Sequence, residues 1–158
     1  MRGFPRLAML VVTLTLMALA VANSEAQVPT ATLAIAQFQR AADSYAFRHR
    51  QVERRGAPAP VPTEGALFEP LAAAAFRERI VLATRQGCDL PDVAGEFEVP
   101  RVNTFAGRTR PVPPCLVAAL PRLPPELEYR IAGPALLLID AHLQVVVDVL
   151  HAAYGRAQ

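Results

Sequence analysis

The sequence predicts an α+β fold in which a long N-terminal helix and a second helix pack on a small C-terminal three-stranded antiparallel meander. Three observations carry this. Between Thr30 and Arg55 apolar residues recur every three or four positions, the period of one helical face. A second such stretch lies between Pro70 and Gln86, bracketed by Pro70 and Gly87, which suit the first position and the stop of a helix. Beyond Leu127 the period falls to two, the alternation of strands.

In the first helix Thr30 or Thr32 can cap the first turn and Gly56 the last. Ile35, Phe38, Ala42, Tyr45, His49 and Val52 form its apolar seam, leaving Gln37, Arg40, Asp43, Arg50 and Arg54 outside it. Arg48, Arg50, Arg54 and Arg55 crowd the last turns, where cations complement the helix dipole. The run 56–63 alternates Pro with small residues, which forbids helix and favours a stiff, extended connection. Phe76, Ile80 and Ala83 are the expected buried stripe of the second helix.

From Cys88 to Pro114 breakers interrupt every pattern, leaving room for a helical turn at 92–97. Cys115 to Leu120 can form another short helix started by Pro113 or Pro114. Leu127, Tyr129 and Ile131 alternate with Glu128 and Arg130, Gly133-Pro134 breaks the run, and Ala135–Asp140 and Gln144–Leu150 supply two further strands. In the last, Val145, Val147 and Val149 are expected on one face, against Gln144, Val146 and Asp148 on the other. The first helix is the natural cover for the apolar face.

The front of the chain reads differently. Met1, Arg2 and Arg6 precede an apolar stretch from Leu7 to Ala22, followed by small-residue sites at Ala20/Ala22 and Ser24/Ala26. This is the pattern of a secretory signal, with cleavage expected after Ala26. As a helix the stretch spans about 24 Å, short of the ~30 Å hydrocarbon core, so no stable membrane span is expected after processing. The expected organisation is a signal peptide over 1–26 and a single small domain over 27–158, placed in the periplasm or secreted.

All 16 basic residues are Arg, which removes Lys-based chemistry. Loss of Arg2, Arg6 and Glu25 takes 16 basic and 14 acidic residues to 14 and 13. The processed chain is therefore near neutral despite a pI of 8.8. With no nucleic-acid motif either, nucleic acid is not an expected partner. An envelope protein or a small ligand is.

Cys88 and Cys115 are the chain's two cysteines. In an oxidising compartment they are expected to form a disulfide around the least regular segment, worth roughly 3.6 kcal/mol by chain entropy. As nucleophiles, Cys88, Cys115 and Ser44 sit in no strand-to-helix elbow and beside no patterned His. The sequence names no catalytic residue and no cofactor. For a metal, Asp140 and His142 lie across a turn with Asp148 on the next strand. They converge only if the hairpin register brings them together; otherwise they read as a capping Asp and a surface His. His49 and Glu53, spaced i,i+4, make half a site, and on the apolar seam His49 reads as a core histidine.

Two segments carry resemblances. The helical Phe38–Glu53 and the C-terminal Leu123-Pro-Pro-Glu-Leu-Glu-Tyr129-Arg130-Ile-Ala-Gly133, continued by Leu136 to Leu150, resemble a group of small exported bacterial proteins of unknown function. The hairpin Tyr129–Asp140 with Val145–Val149 is similar to the C-terminal hairpin of periplasmic nickel and cobalt homeostasis proteins, although Pro134 and Ala141-His142-Leu143-Gln144 depart from that family's turn. These readings imply an exported, non-enzymatic binding or interaction module, with periplasmic metal homeostasis or a small hydrolase as the alternatives.

Overall fold

A computed structural model describes residues 27–55, 61–90 and 98–154, with side chains from Thr30 onward. The expected signal peptide, most of the Pro-rich connection and the expected helical turn at 92–97 lie outside the described residues. The chain forms two compact units, Met1–Leu33 and Ala34–Gln158. In the first, residues 27–33 are described and are helical.

The elements are α1 (Gln27–Arg55), α2 (Pro70–Arg85), β1 (Arg110–Pro111), α3 (Pro114–Ala119), β2 (Leu127–Ala132), β3 (Ala135–Asp140) and β4 (Val145–Leu150). The strands make one antiparallel sheet in the order β1-β2-β3-β4. The class is α+β as the sequence predicts, but the meander gains a fourth strand. Arg110 and Pro111 pair with Ile131 and Arg130 at its edge, a position where Pro needs no donor. Among the described residues no helix is long and apolar enough to cross a membrane.

The helices follow their periodicity. Phe38, Ala42, Tyr45 and His49 are buried along the seam of α1, joined by Ala34 and Ala46. In α2 the stripe is Ala72, Ala73, Ala75, Phe76, Ile80 and Ala83, with Pro70 in the first turn. These faces meet the sheet through Leu127, Tyr129, Ile131, Leu136, Leu138, Val147 and Leu150. An aromatic cluster lies at the centre, with the Phe76 ring 4.7 Å from Phe38, 5.1 Å from Phe68 and 6.1 Å from Tyr129. The offset and edge-on arrangements suit ring quadrupoles.

One sequence expectation is corrected: β4 does not alternate. Leu138 pairs with Asp148 but Ile139 with Val146, leaving Val147 as the extra residue of a β-bulge. Val147 joins the helix-side core while Val146 and Val149 pack on the opposite face, so the grouping of Val145, Val147 and Val149 fails. The sheet is also covered on its far side. Ala132, Ala135, Leu137, Ile139, Val146 and Val149 pack there with Ala106, Val99 and Val102. Burial on both faces explains why β3 reads as an unbroken apolar run. The segment around Asn103, apparently mere loop, hydrogen-bonds along β4: Asn103 N–H donates to Val146 O, Val146 N–H to Thr104 O and Ala106 N–H to Gln144 O.

Gly133, at φ 51°, takes the first central position of the β2–β3 turn and Pro134 the second, as a two-residue II′ hairpin turn favours. Cys88 and Cys115 form the expected disulfide, with Cα atoms 5.7 Å apart, inside the range for unstrained bridging. It ties the end of α2 to α3.

Candidate metal centre

On α1, Tyr45, His49 and Glu53 follow one another at four-residue spacing and so share one side of the helix. Facing them is the end of β3, where Asp140 continues the helix-side positions Leu136 and Leu138. The next residues, 141–144, form the turn into β4. That is how the fold brings two halves of a site together from positions ninety or so apart.

Asp140 anchors the arrangement. Its side chain is 1% exposed, and both oxygens accept hydrogen bonds. Oδ1 accepts the backbone N–H groups of His142 (2.9 Å) and Leu143 (2.8 Å), shaping the turn as an Asx motif. Oδ2 accepts the Tyr45 hydroxyl at 2.9 Å and lies 3.1 Å from His49 Nε2. Burial, and then the hydrogen bond and charge of Asp140, push the Tyr45 phenol well above its ordinary pKa, so it remains a donor.

His49 turns Nε2 to the Asp140 carboxylate at 3.1 Å, and in the neutral tautomer with its hydrogen on Nε2 the other nitrogen, Nδ1, is a lone pair. His49 is 1% exposed, and Nδ1 has no hydrogen-bond partner. It looks toward Glu53 Oε1 at 3.7 Å, too far for a hydrogen bond. The same Glu53 oxygen is 2.9 Å from His142 Nδ1, and the two imidazoles meet edge to face at 5.3 Å. The hydrogen bond to the Glu53 carboxylate raises the His142 pKa against desolvation, helped by the charges of Glu53, Asp140 and Glu126. Glu53 and His142 are each about half exposed, at 48% and 49%. One donor atom from each of His49, Glu53 and His142 lies within 4.8 Å of the others.

A second acidic residue braces the turn. Glu126, at the entry to β2, accepts a hydrogen bond from Arg50 of α1 and, through its backbone carbonyl, from Ala141 N–H. Burial pushes its carboxyl up, but the Arg50 hydrogen bond, its own backbone N–H and the Arg50 and His142 charges outweigh this and hold it below the ordinary range.

The three metal candidates of the sequence thus separate. His142 is in the cluster. Asp140 stands behind it, its oxygens accepting the Tyr45 hydroxyl and the N–H groups of His142 and Leu143. Asp148 is elsewhere: its buried carboxylate accepts Gly65, Leu67 and Phe68 N–H at 2.7–2.8 Å, fastening the segment before α2 to β4. His49 and Glu53 complete the cluster, and Tyr45 fixes Asp140. The visible signal was a polar pair on an apolar seam, but its partner depended on how α1 seats on the sheet. His151, the third histidine, pairs with Glu64 at the surface.

Two imidazoles and one carboxylate form a borderline donor set that suits late first-row divalent metals rather than magnesium or calcium. The carboxylate behind an imidazole is the arrangement that fixes tautomer and ring orientation in metal sites. Nucleophilic chemistry loses two of its three candidates, since Cys88 and Cys115 are bonded to each other. Two surface hollows, one along Glu98–Arg108 and one between β1, α3 and β2, are lined by no His or Cys. Compared with models of protein families, with curated proteins and with solved structures, the chain matches none.

Proposed function

We propose that the protein is an exported, non-enzymatic binding module whose ligand is a late first-row divalent metal ion, held by His49, Glu53 and His142 and oriented by Asp140. One observation carries the reading: a buried imidazole whose Nε2 is fixed by a carboxylate and whose Nδ1, without a partner, faces a second carboxylate and a second imidazole. With the ring hydrogen on Nε2, the Nδ1 lone pair and the Glu53 oxygen face each other unfavourably, and a cation between them reverses the sign. Export draws on the apolar run Leu7–Ala22 with its small-residue site and on the disulfide, which belongs to oxidising compartments. The similarity of the C-terminal hairpin to periplasmic nickel and cobalt homeostasis proteins agrees with the ligand class.

Calorimetric titration of the disulfide-intact protein with nickel, cobalt, copper and zinc tests the ligand. One equivalent should bind, and His142→Ala and Glu53→Gln should each weaken binding by at least about tenfold. Binding that both variants leave unchanged, or no binding of any of the four ions, refutes the assignment. Mass spectrometry of the exported product tests the compartment, with a chain beginning at Gln27 as the expected result and an intact N-terminus in the membrane fraction as the refuting one.

A further inference from the structure

We propose that this metal centre is built for exchange: a bound ion keeps a coordination position open to a single donor from another molecule, an imidazole nitrogen or a small anion. The inference rests on the metal-binding reading above and concerns what the site does with its ion.

The donor count comes first. Structural sites for these ions are closed by four protein ligands, whereas sites that take an outside ligand present three. Among the described residues the cluster supplies three, His49, Glu53 and His142. Two other carboxylates stand near, and neither belongs to the converging set. Asp140 accepts two backbone amides and a phenol and lies 3.1 Å from His49 Nε2, and Glu126 accepts Arg50 through Oε1 while its buried Oε2 has no partner.

Access comes second. His49 closes the inner side at 1% exposure, while Glu53 and His142 stand about half exposed on the outer side. Protein thus backs the ion from one direction and solvent reaches it from the other. Donors around one ion at about 2.0–2.1 Å lie roughly 3.3 Å apart in a tetrahedron, so a set lying within 4.8 Å, with His49 Nδ1 3.7 Å from Glu53 Oε1, must adjust. His49 is fixed by Asp140, and the adjustment falls to the two exposed side chains. Without an ion those two hydrogen-bond each other at 2.9 Å. Loading therefore exchanges one surface hydrogen bond for coordination.

Independence from folding comes third. The elements that bear the ligands are held by Asp140, by the Arg50–Glu126 pair and by the core under α1, and the disulfide ties α2 to α3. None of these needs the ion, in contrast to small metal-folded domains, where release means unfolding. An ion held on a folded scaffold, with one side open, can leave through a ternary complex with the next donor.

Cobalt(II) reports the coordination directly. The disulfide-intact protein, loaded with one equivalent, is titrated with imidazole and, separately, with azide while visible absorption is recorded. The expected result is a shift of the d–d bands that saturates as one added ligand binds, with cobalt still eluting with the protein on gel filtration. Transfer of cobalt to a chromophoric chelator should accelerate in proportion to chelator concentration. If cobalt binds in the calorimeter but the spectrum ignores both ligands, or if they strip it with no ternary species, or if transfer is independent of chelator, the open position is overturned and the binding site stands. Failure to bind cobalt at all overturns both.

Discussion

Replacing Asp148 by Asn separates the structural carboxylate from the proposed metal ligands more sharply than any other single change. The Asp148 oxygens accept four backbone donors: Gly65 and Val149 N–H on Oδ1 at 2.7 and 2.8 Å, Leu67 and Phe68 N–H on Oδ2 at 2.8 Å. An amide keeps one acceptor oxygen and turns an NH2 on the other pair. If the oxygen stays with Leu67 and Phe68, Gly65 and Val149 lose their acceptor and meet two further hydrogens. Each orphaned buried donor costs about 1–3 kcal/mol, and the two surviving bonds lose their charge assistance. Gly65 is only part-buried, so water relieves part of its loss. The expected cost is about 3–5 kcal/mol, a large share of a small domain's stability. The chain has no Trp, so urea unfolding followed by far-ultraviolet circular dichroism is the assay, with metal titration of the same sample beside it. Metal affinity should be unchanged. His142→Ala should show the reverse, costing under about 1 kcal/mol because the side chain is half exposed, while metal affinity falls. An Asp148→Asn variant within about 1 kcal/mol of the parent, or one that loses metal as His142→Ala does, would refute the reasoning.

Three further outcomes follow from the fold. Phe38→Ala removes a ring that is 1% exposed and stacked within the Phe68–Phe76 cluster, and should cost about 3–5 kcal/mol in the same urea assay; Arg40→Ala, on the exposed side of α1, should cost under about 0.5 kcal/mol, and equal losses would contradict the packing of α1. Reduction of Cys88–Cys115 should lower stability by roughly 3–4 kcal/mol through the loop it closes, so an unchanged melting temperature in reductant counts against that role. Glu126 has a folded pKa below its ordinary value of about 4.5, and its contribution is therefore present above that value and lost as pH falls through the lower folded one. As pH falls below about 5 and through the lowered folded pKa, the parent should lose more stability than Glu126→Gln, and parallel acid profiles would deny the Arg50–Glu126 bond a role.

The helices were legible because a helix buries a stripe and the stripe has a period. Phe38, Ala42, Tyr45 and His49 could be read off α1, as could Phe76, Ile80 and Ala83 off α2. The cysteine pairing was legible from compartment chemistry. The bulge at Val147 was not, since an extra residue in a run of valines leaves the run's composition unchanged while turning Asp148 and Leu150 to the helix side. Nor was the layer around Val99, Val102 and Ala106: its prolines and glycines mark the absence of regular structure, not the absence of burial. The site was half legible for a related reason. Asp140 and His142 belong to one turn and His49 and Glu53 to one helix, so each pair could be seen locally. Their meeting depends on the seating of α1 across β3, which no local pattern encodes. One signal did reach across that gap. Tyr45, His49 and Asp140 occupy positions where the surrounding seam is apolar and where leucine would avoid the cost of burying polar groups. Tyr45 and Asp140 are explained by bonding to one another and to the turn. His49 is explained only at Nε2, and the unsatisfied Nδ1 is the atom at which packing stops being a sufficient reason for the residue.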